Sequence, residues 1–273
     1  MTPEPSRTVG PQPVRAVIFD WGGTLTPWHD IDLRAQWTAF ATGYGTMACA
    51  TGELAAAVLA AEDAAWARSR TDGASSRLAD ILEAAGVPDG DARRAGQAAY
   101  EQFWEPHTVT HPDVRPLLEG LRARGIRVGV LSNTIWSREY HRGVFARDGV
   151  DDLIDGDVYT SEIAWTKPHP QAFLAAADAV GVPPERCVYV GDRSYEDVHG
   201  PQQVGMRAIW VPHSDIPTEQ QVAHDAVPDA VAHDLLDVLD IVDAWDAAAG
   251  ERGSRTVADG AYAAADEVEA GRG

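Results

Sequence analysis

The chain has 273 residues, 45% hydrophobic and 23% charged, which suits a globular protein with a sizeable core and room for an inserted second unit. With 22 Lys+Arg against 42 Asp+Glu the formal net charge is −20, so the surface as a whole would repel a nucleic-acid backbone, although a site can still be locally positive. The longest apolar runs are strand-sized, as at Val128 to Leu131, so no segment is expected to span a membrane.

Residues 1–13 are polar and Pro-rich with no apolar stretch, and are expected to form a flexible leader, not a secretory signal. Val14 to Phe19 (VRAVIF) then runs apolar into Asp20 and a Gly pair, as a strand buried on both faces does. The interval from Leu25 to about Thr110 holds no convincing strand. It reads as four helices, near Arg34 to Cys49, Glu53 to Ser69, Ala74 to Ala85 and Asp91 to Trp104, divided by clusters such as Gly86-Val87-Pro88-Asp89-Gly90.

Further strand-like runs follow at Arg127 to Leu131, Cys187 to Val190, Arg207 to Val211 and, weakly, Asp229 to Ala232. Helical patterns alternate with them at Val114 to Arg124, Trp136 to Arg147, Pro170 to Val180 and Tyr195 to Val204. Such alternation predicts an α/β fold with a parallel sheet, whose chemistry lies at the carboxyl ends of its strands. The helical block after the first strand is expected to cap that edge. Pro212 to Gly273 hold 14 acidic residues and three arginines, and the stretch from 248 reads as a solvated acidic tail. Cys49 and Cys187 offer neither a metal pair nor a disulfide framework, and read as two reduced core thiols of a cytoplasmic protein.

Each strand end carries polar residues: Asp20-Trp21-Gly22-Gly23-Thr24, Ser132-Asn133-Thr134, and Gly191-Asp192 with Asp197 five residues on. Lys167, the sole lysine of the chain, precedes Pro168 just before the Pro170 helix. Singly, each has a plain explanation as a turn, cap or solvated residue. Gathered at one sheet edge, a hydroxyl, an ammonium and three carboxylates are costly unless something charged binds there.

These segments resemble the motifs of the haloacid dehalogenase-like hydrolase superfamily, in members with a helical cap after the first motif. FDWGGTL is similar to the nucleophile motif, LSNT to the serine/threonine motif, TKPHPQAF to the lysine motif, and GDRSYEDVHGPQQVGM to the metal-binding motif. The spacings of 112, 35 and 25 residues between Asp20, Ser132, Lys167 and Asp192 also fit. The resemblance covers roughly Val14 to Trp245. It implies a Rossmann-like parallel sheet flanked by helices, with residues 14–26 and 111–247 as the hydrolase core, 27–110 as an all-α cap and 248–273 outside as the tail.

The resemblance also implies roles. Asp20 would be the nucleophile, forming an aspartyl-phosphate with a small phosphorylated substrate. Asp20, Asp192 and the carbonyl of Gly22 would hold Mg²⁺, with Asp197 binding directly or through water. Ser132 and backbone amides near Trp21 and Asn133 would bind phosphoryl oxygens, and Lys167 would supply fixed positive charge. Oligomeric state is left open.

One position departs from the pattern. Phosphatases of this superfamily carry a second Asp where this chain has Gly22, and that Asp protonates the leaving group and activates water. Three outcomes stay open: a slow or specialised phosphatase with the proton handled by another group such as His29, His107 or His111; a phosphonate or C–halogen hydrolase; or a non-catalytic phosphate-binding module. The phosphonate route would need a cap lysine, and the cap has none. C–halogen cleavage would not need the retained acidic set. The cap's Arg68, Arg70, Arg77, Arg93 and Arg94 suit anionic substrates, while Trp28, Trp37, Trp66 and Trp104 suit a core.

Overall fold

The computed structural model describes residues 12–212, 216 and 221–250, without the side chains of residues 48 and 49. The expected leader and tail lie outside these residues except at their inner ends, as does the thiol of Cys49; Cys187 is buried. Six strands form one parallel sheet in the order β3-β2-β1-β4-β5-β6. They are β1 (Ala16–Phe19), β2 (Arg127–Ser132), β3 (Gly156–Tyr159), β4 (Cys187–Gly191), β5 (Arg207–Trp210) and β6 (Ala230–Val231). The order reverses between β1 and β4, and ligand sites of open α/β sheets form at that switch point.

Side chains alternate across the sheet. Val17 and Phe19 enter one core cluster with α5 (Val114–Ala123), while Ala16 and Ile18 enter another with α7 (Pro170–Val180). Both faces are therefore dry, which is why β1 reads as an unbroken apolar run. Register then brings the chemistry together. Phe19 pairs with Val130 and Val190, and the Asp20 N–H donates to the Val190 carbonyl at 2.9 Å.

Between β1 and α5 lie four helices, α1 (Leu33–Gly43), α2 (Ala48–Asp72), α3 (Leu78–Ala84) and α4 (Asp91–Trp104). The expected first helix is broken at residues 44–47, where Gly45 takes φ +84°, and its last residues belong to α2. The expected third helix starts four residues late, because Ala74 instead bridges to Trp165 and the Leu78 N–H donates to the Ile135 carbonyl at 2.8 Å. This extended stretch fastens the helical block to the sheet edge. Trp37 is buried with its indole N–H on Glu62 at 2.7 Å, and the Trp104 indole donates to Gln36 at 2.9 Å, so both serve packing.

Two core elements differ from expectation. β3 has no apolar run in sequence: Val158 and Tyr159 enter the core, but Asp157 beside them is held in ion pairs by Arg138 and Arg142. The helix expected at 195–204 is a π-helical turn (Ser194–His199) followed by one short turn (Gly200–Gln202). Pro201 has no N–H to continue a regular ladder. Among the described residues no helix is long and apolar enough to cross a membrane.

Candidate active site

Lys167 is the hub of the sheet edge. Its side chain is 2% exposed, and Nζ lies 2.8 Å from Asp20 Oδ1 and 2.8 Å from Asp197 Oδ1. The third N–H donates to the Tyr189 hydroxyl at 2.9 Å, which in turn donates to the Leu131 carbonyl at 2.8 Å. All three donors of the ammonium are thereby used. Burial alone would lower the pKa of Lys167, but Asp197 and Asp20 outweigh it and hold the group well above its ordinary value. The amine is a permanent cation here.

Asp192 joins the two carboxylates that hold that cation. Ligand oxygens of Asp20, Asp192 and Asp197 lie within 4.8 Å of one another, and all three residues are buried. The second Asp197 oxygen accepts the Arg193 N–H at 3.0 Å, so the π-helical turn delivers this residue inward. Burial raises the pKa of Asp197 to about 6, against the pull of Lys167 and with the push of Asp20. A cluster of hard oxygen donors with more negative than positive charge fits a divalent cation such as Mg²⁺.

The turn after Asp20 is shaped by its glycines. Gly23 has φ +85°, and a Cβ there would collide with the Asp192 carboxylate. Gly22 is different. It has no left-handed backbone, and a Cβ there would meet nothing within 4 Å. A side chain at Gly22 therefore meets neither backbone strain nor a neighbouring atom.

Ser132 ends β2 as a buried residue at the same edge. Asn133, whose backbone amide the resemblance assigns to phosphoryl oxygens, has its side chain engaged with the Lys167 backbone: Nδ2 donates to the Lys167 carbonyl at 3.0 Å, and the Lys167 N–H donates to Oδ1 at 2.8 Å. The Trp21 indole is buried against Trp136 and His141, at ring-centroid distances of 5.5 and 4.6 Å. His29 is exposed and packs on His107 at 5.1 Å, and burial together with His29 lowers the pKa of His107. The His111 N–H donates to the Leu25 carbonyl, and its ring lies 3.7 Å from Asp113.

Two residues went unnoticed in the sequence. Tyr189 sits mid-strand in an apolar run, and only its pairing with Lys167 distinguishes it. His141 is fully buried in α6 (Arg138–Arg147), stacked on Tyr159 at 4.2 Å with Nε2 3.2 Å from the Thr134 hydroxyl. Burial drives its pKa down to about 3, so it is neutral.

Residues 14–205 match the family model for haloacid dehalogenase-like hydrolases. The chain belongs to this family of hydrolases. It is 30% identical over 155 residues to a glyceraldehyde 3-phosphate phosphatase of Methanopyrus kandleri, a match covering 56% of this chain and 66% of that one. It is 28% identical over 188 residues to a phosphoserine phosphatase of Thermus thermophilus, covering 65% and 72%. The matched segment thus spans about two thirds of these curated relatives. Among solved structures, the fold matches a 2-haloacid dehalogenase from Pseudomonas syringae at TM-score 0.58 and 23% identity, over 85% and 99% of the two chains. That likeness shows the haloacid dehalogenase-like fold alone.

Proposed function

We propose that this hydrolase is a Mg²⁺-dependent phosphatase acting on a small phosphorylated metabolite through an aspartyl-phosphate on Asp20, with residues 14–26 and 111–247 as its core and 27–110 as its cap. The observation that carries the reading is the buried ammonium of Lys167 bridging Asp20 and Asp197 beside Asp192. Two relatives named as phosphatases support it. Asp20, Asp192 and the Gly22 carbonyl would hold Mg²⁺, with Asp197 in support, and the ion would supply charge neutralisation between nucleophile and phosphoryl group.

In this reading a carboxylate oxygen of Asp20 attacks phosphorus in line, and the bond from phosphorus to the ester oxygen breaks as the new one forms. The departing alkoxide takes a proton. Water then attacks the same phosphorus, the bond to Asp20 breaks, and phosphate leaves with the carboxylate restored. Lys167 stays protonated throughout and offsets charge on the phosphoryl oxygens, which Ser132 also binds. Asn133 holds Lys167 in place. With Gly22 where an acid would stand, the leaving group's proton comes from water or the substrate itself, so alcohols of low pKa leave fastest.

Gly22 also keeps a C–halogen route in view, and one experiment separates the readings. Purified protein is incubated with 4-nitrophenyl phosphate and Mg²⁺, with and without EDTA, beside Asp20→Asn. Turnover that EDTA and Asp20→Asn both abolish is expected. Dehalogenation of a 2-haloacid insensitive to EDTA would replace the phosphatase reading, and no turnover of either substrate would leave a binding module.

A further inference from the structure

The backbone of Lys167 is held from two sides. From the core, Asn133 takes its N–H and its carbonyl, at 2.8 and 3.0 Å. From the helical block, the stretch between α2 and α3 runs antiparallel to the residues just before Lys167. Ala74 bridges to Trp165, the Thr166 N–H donates to the Gly73 carbonyl at 2.9 Å, and the Ser75 N–H donates to the Ala164 carbonyl at 3.3 Å. Side chains close the same seam. Ser69, in the last turn of α2, donates to the Thr166 hydroxyl at 3.0 Å, and the Ser75 hydroxyl donates to the Ile163 carbonyl.

Consecutive backbone donors are thus claimed by different parts of the fold, the Thr166 N–H by the helical block and the Lys167 N–H by the end of β2. The Thr166 carbonyl accepts the His169 N–H at 2.8 Å, so every peptide unit from residue 165 to residue 168 is bonded. These bonds set the direction in which the Lys167 side chain leaves the backbone. The same stretch of the block also reaches the loop after Asn133, where the Leu78 N–H donates to the Ile135 carbonyl at 2.8 Å. It therefore spaces the two loops whose Asn133 and Lys167 meet. The ammonium itself bonds Asp20, Asp197 and Tyr189, so any influence of Ser69 on it passes through the backbone.

From this arrangement we infer that Ser69 is a positioning residue of the phosphate site, acting through Thr166 on Lys167, so that the cap helps to build the site for the phosphoryl group itself. The inference rests on the phosphatase reading, in which Lys167 meets the phosphoryl oxygens, and deepens it. A cap that served only the alcohol part of the substrate would leave the affinity for inorganic phosphate untouched when Ser69 is changed, since phosphate carries no alcohol. A cap that holds Lys167 alters that affinity. Without the Ser69 hydroxyl the seam is weakened at Thr166, and the cost of ordering the backbone beneath the ammonium falls on phosphate binding. Thr166 is buried, which shelters the bond made to its hydroxyl.

Calorimetric titration of inorganic phosphate into the full chain with Mg²⁺ tests this. Ser69→Ala and Thr166→Val each remove one partner of the bond and should raise the Kd for phosphate about three- to tenfold, the span of one neutral hydrogen bond. The double variant should match the single ones and not multiply them, because both changes break the same bond. Asp91→Ala, which removes the exposed partner of Arg94 in α4, should keep the native Kd whatever it does to Tm. With 4-nitrophenyl phosphate, KM should rise in the Ser69 and Thr166 variants while kcat stays nearly unchanged. A Kd within about twofold of native in whichever single variant folds would overturn the inference. So would effects that multiply in the double variant, or a shift in Asp91→Ala as large as theirs. If the native chain binds no phosphate, the phosphatase reading falls and this inference with it, whereas phosphate binding blind to Ser69 and Thr166 sinks only the positioning role.

Discussion

The side chain of Asn133 and the backbone of Lys167 exchange two hydrogen bonds, at 3.0 and 2.8 Å, in the pattern one strand offers another. A residue at the end of β2 thereby sets where the ammonium stands. Asn133→Ala leaves two inward-facing backbone groups of Lys167 without these partners, so stability should fall by about 1–3 kcal/mol. The KM for 4-nitrophenyl phosphate should rise more than kcat falls, because the cation is displaced but still present. Lys167→Met should lose both parameters. If Asn133→Ala changes stability alone, Asn133 has no positioning role.

Gly22→Asp should raise turnover of aryl phosphates by roughly 10²-fold, the lower part of the range for a positioned general acid. The open space around a Cβ at Gly22 removes the steric objection. Alkyl phosphates, whose leaving groups need the proton more, should gain more than 4-nitrophenyl phosphate. Steady-state rates of both proteins on both substrates decide it. Equal native rates on the two substrates would show that another residue already donates the proton, with His29 the first to substitute.

Asp20, Asp192 and Asp197 bring three carboxylates to one ammonium, so divalent cation binding should relieve their repulsion. Millimolar Mg²⁺ should raise Tm by several degrees, roughly 2–4 °C per kcal/mol of binding free energy gained. Asp192→Asn should abolish that shift. Scanning calorimetry with Mg²⁺, EDTA and the variant measures it, and an equal Mg²⁺ shift in both proteins would place the ion elsewhere.

His141 carries a pH signature. Its folded pKa of about 3 lies below the ordinary 6.5, so below pH 6.5 the unfolded chain takes up a proton that the folded one refuses. Its contribution is full above pH 6.5 and is lost as pH falls toward 3; by pH 5.5 the loss is about 1.4 kcal/mol. Between pH 7.5 and 5.5 the native Tm should fall roughly 3–6 °C further than that of His141→Phe. Parallel melting curves would mean that His141 protonates without cost.

The sequence by itself determined the parallel α/β core, the helical block after β1 and the four polar strand ends. Each rests on local information: apolar runs of strand length, helical periodicity, and polar residues directly after them. Asp20, Asp192, Asp197, Ser132 and Lys167 were legible for that reason, and the structure clusters the three carboxylates and bonds two of them, Asp20 and Asp197, to the ammonium. The edge strand β3 was not legible, because Asp157 is satisfied by Arg138 and Arg142, which stand 19 and 15 residues away. Only the tertiary structure decided that Asn133 clamps Lys167 and that Tyr189 fills its third donor position. It alone showed that a Cβ at Gly22 would meet open space. Those are distances between segments far apart in the chain, set by sheet register and by the seating of α2, and no local pattern of residues encodes them.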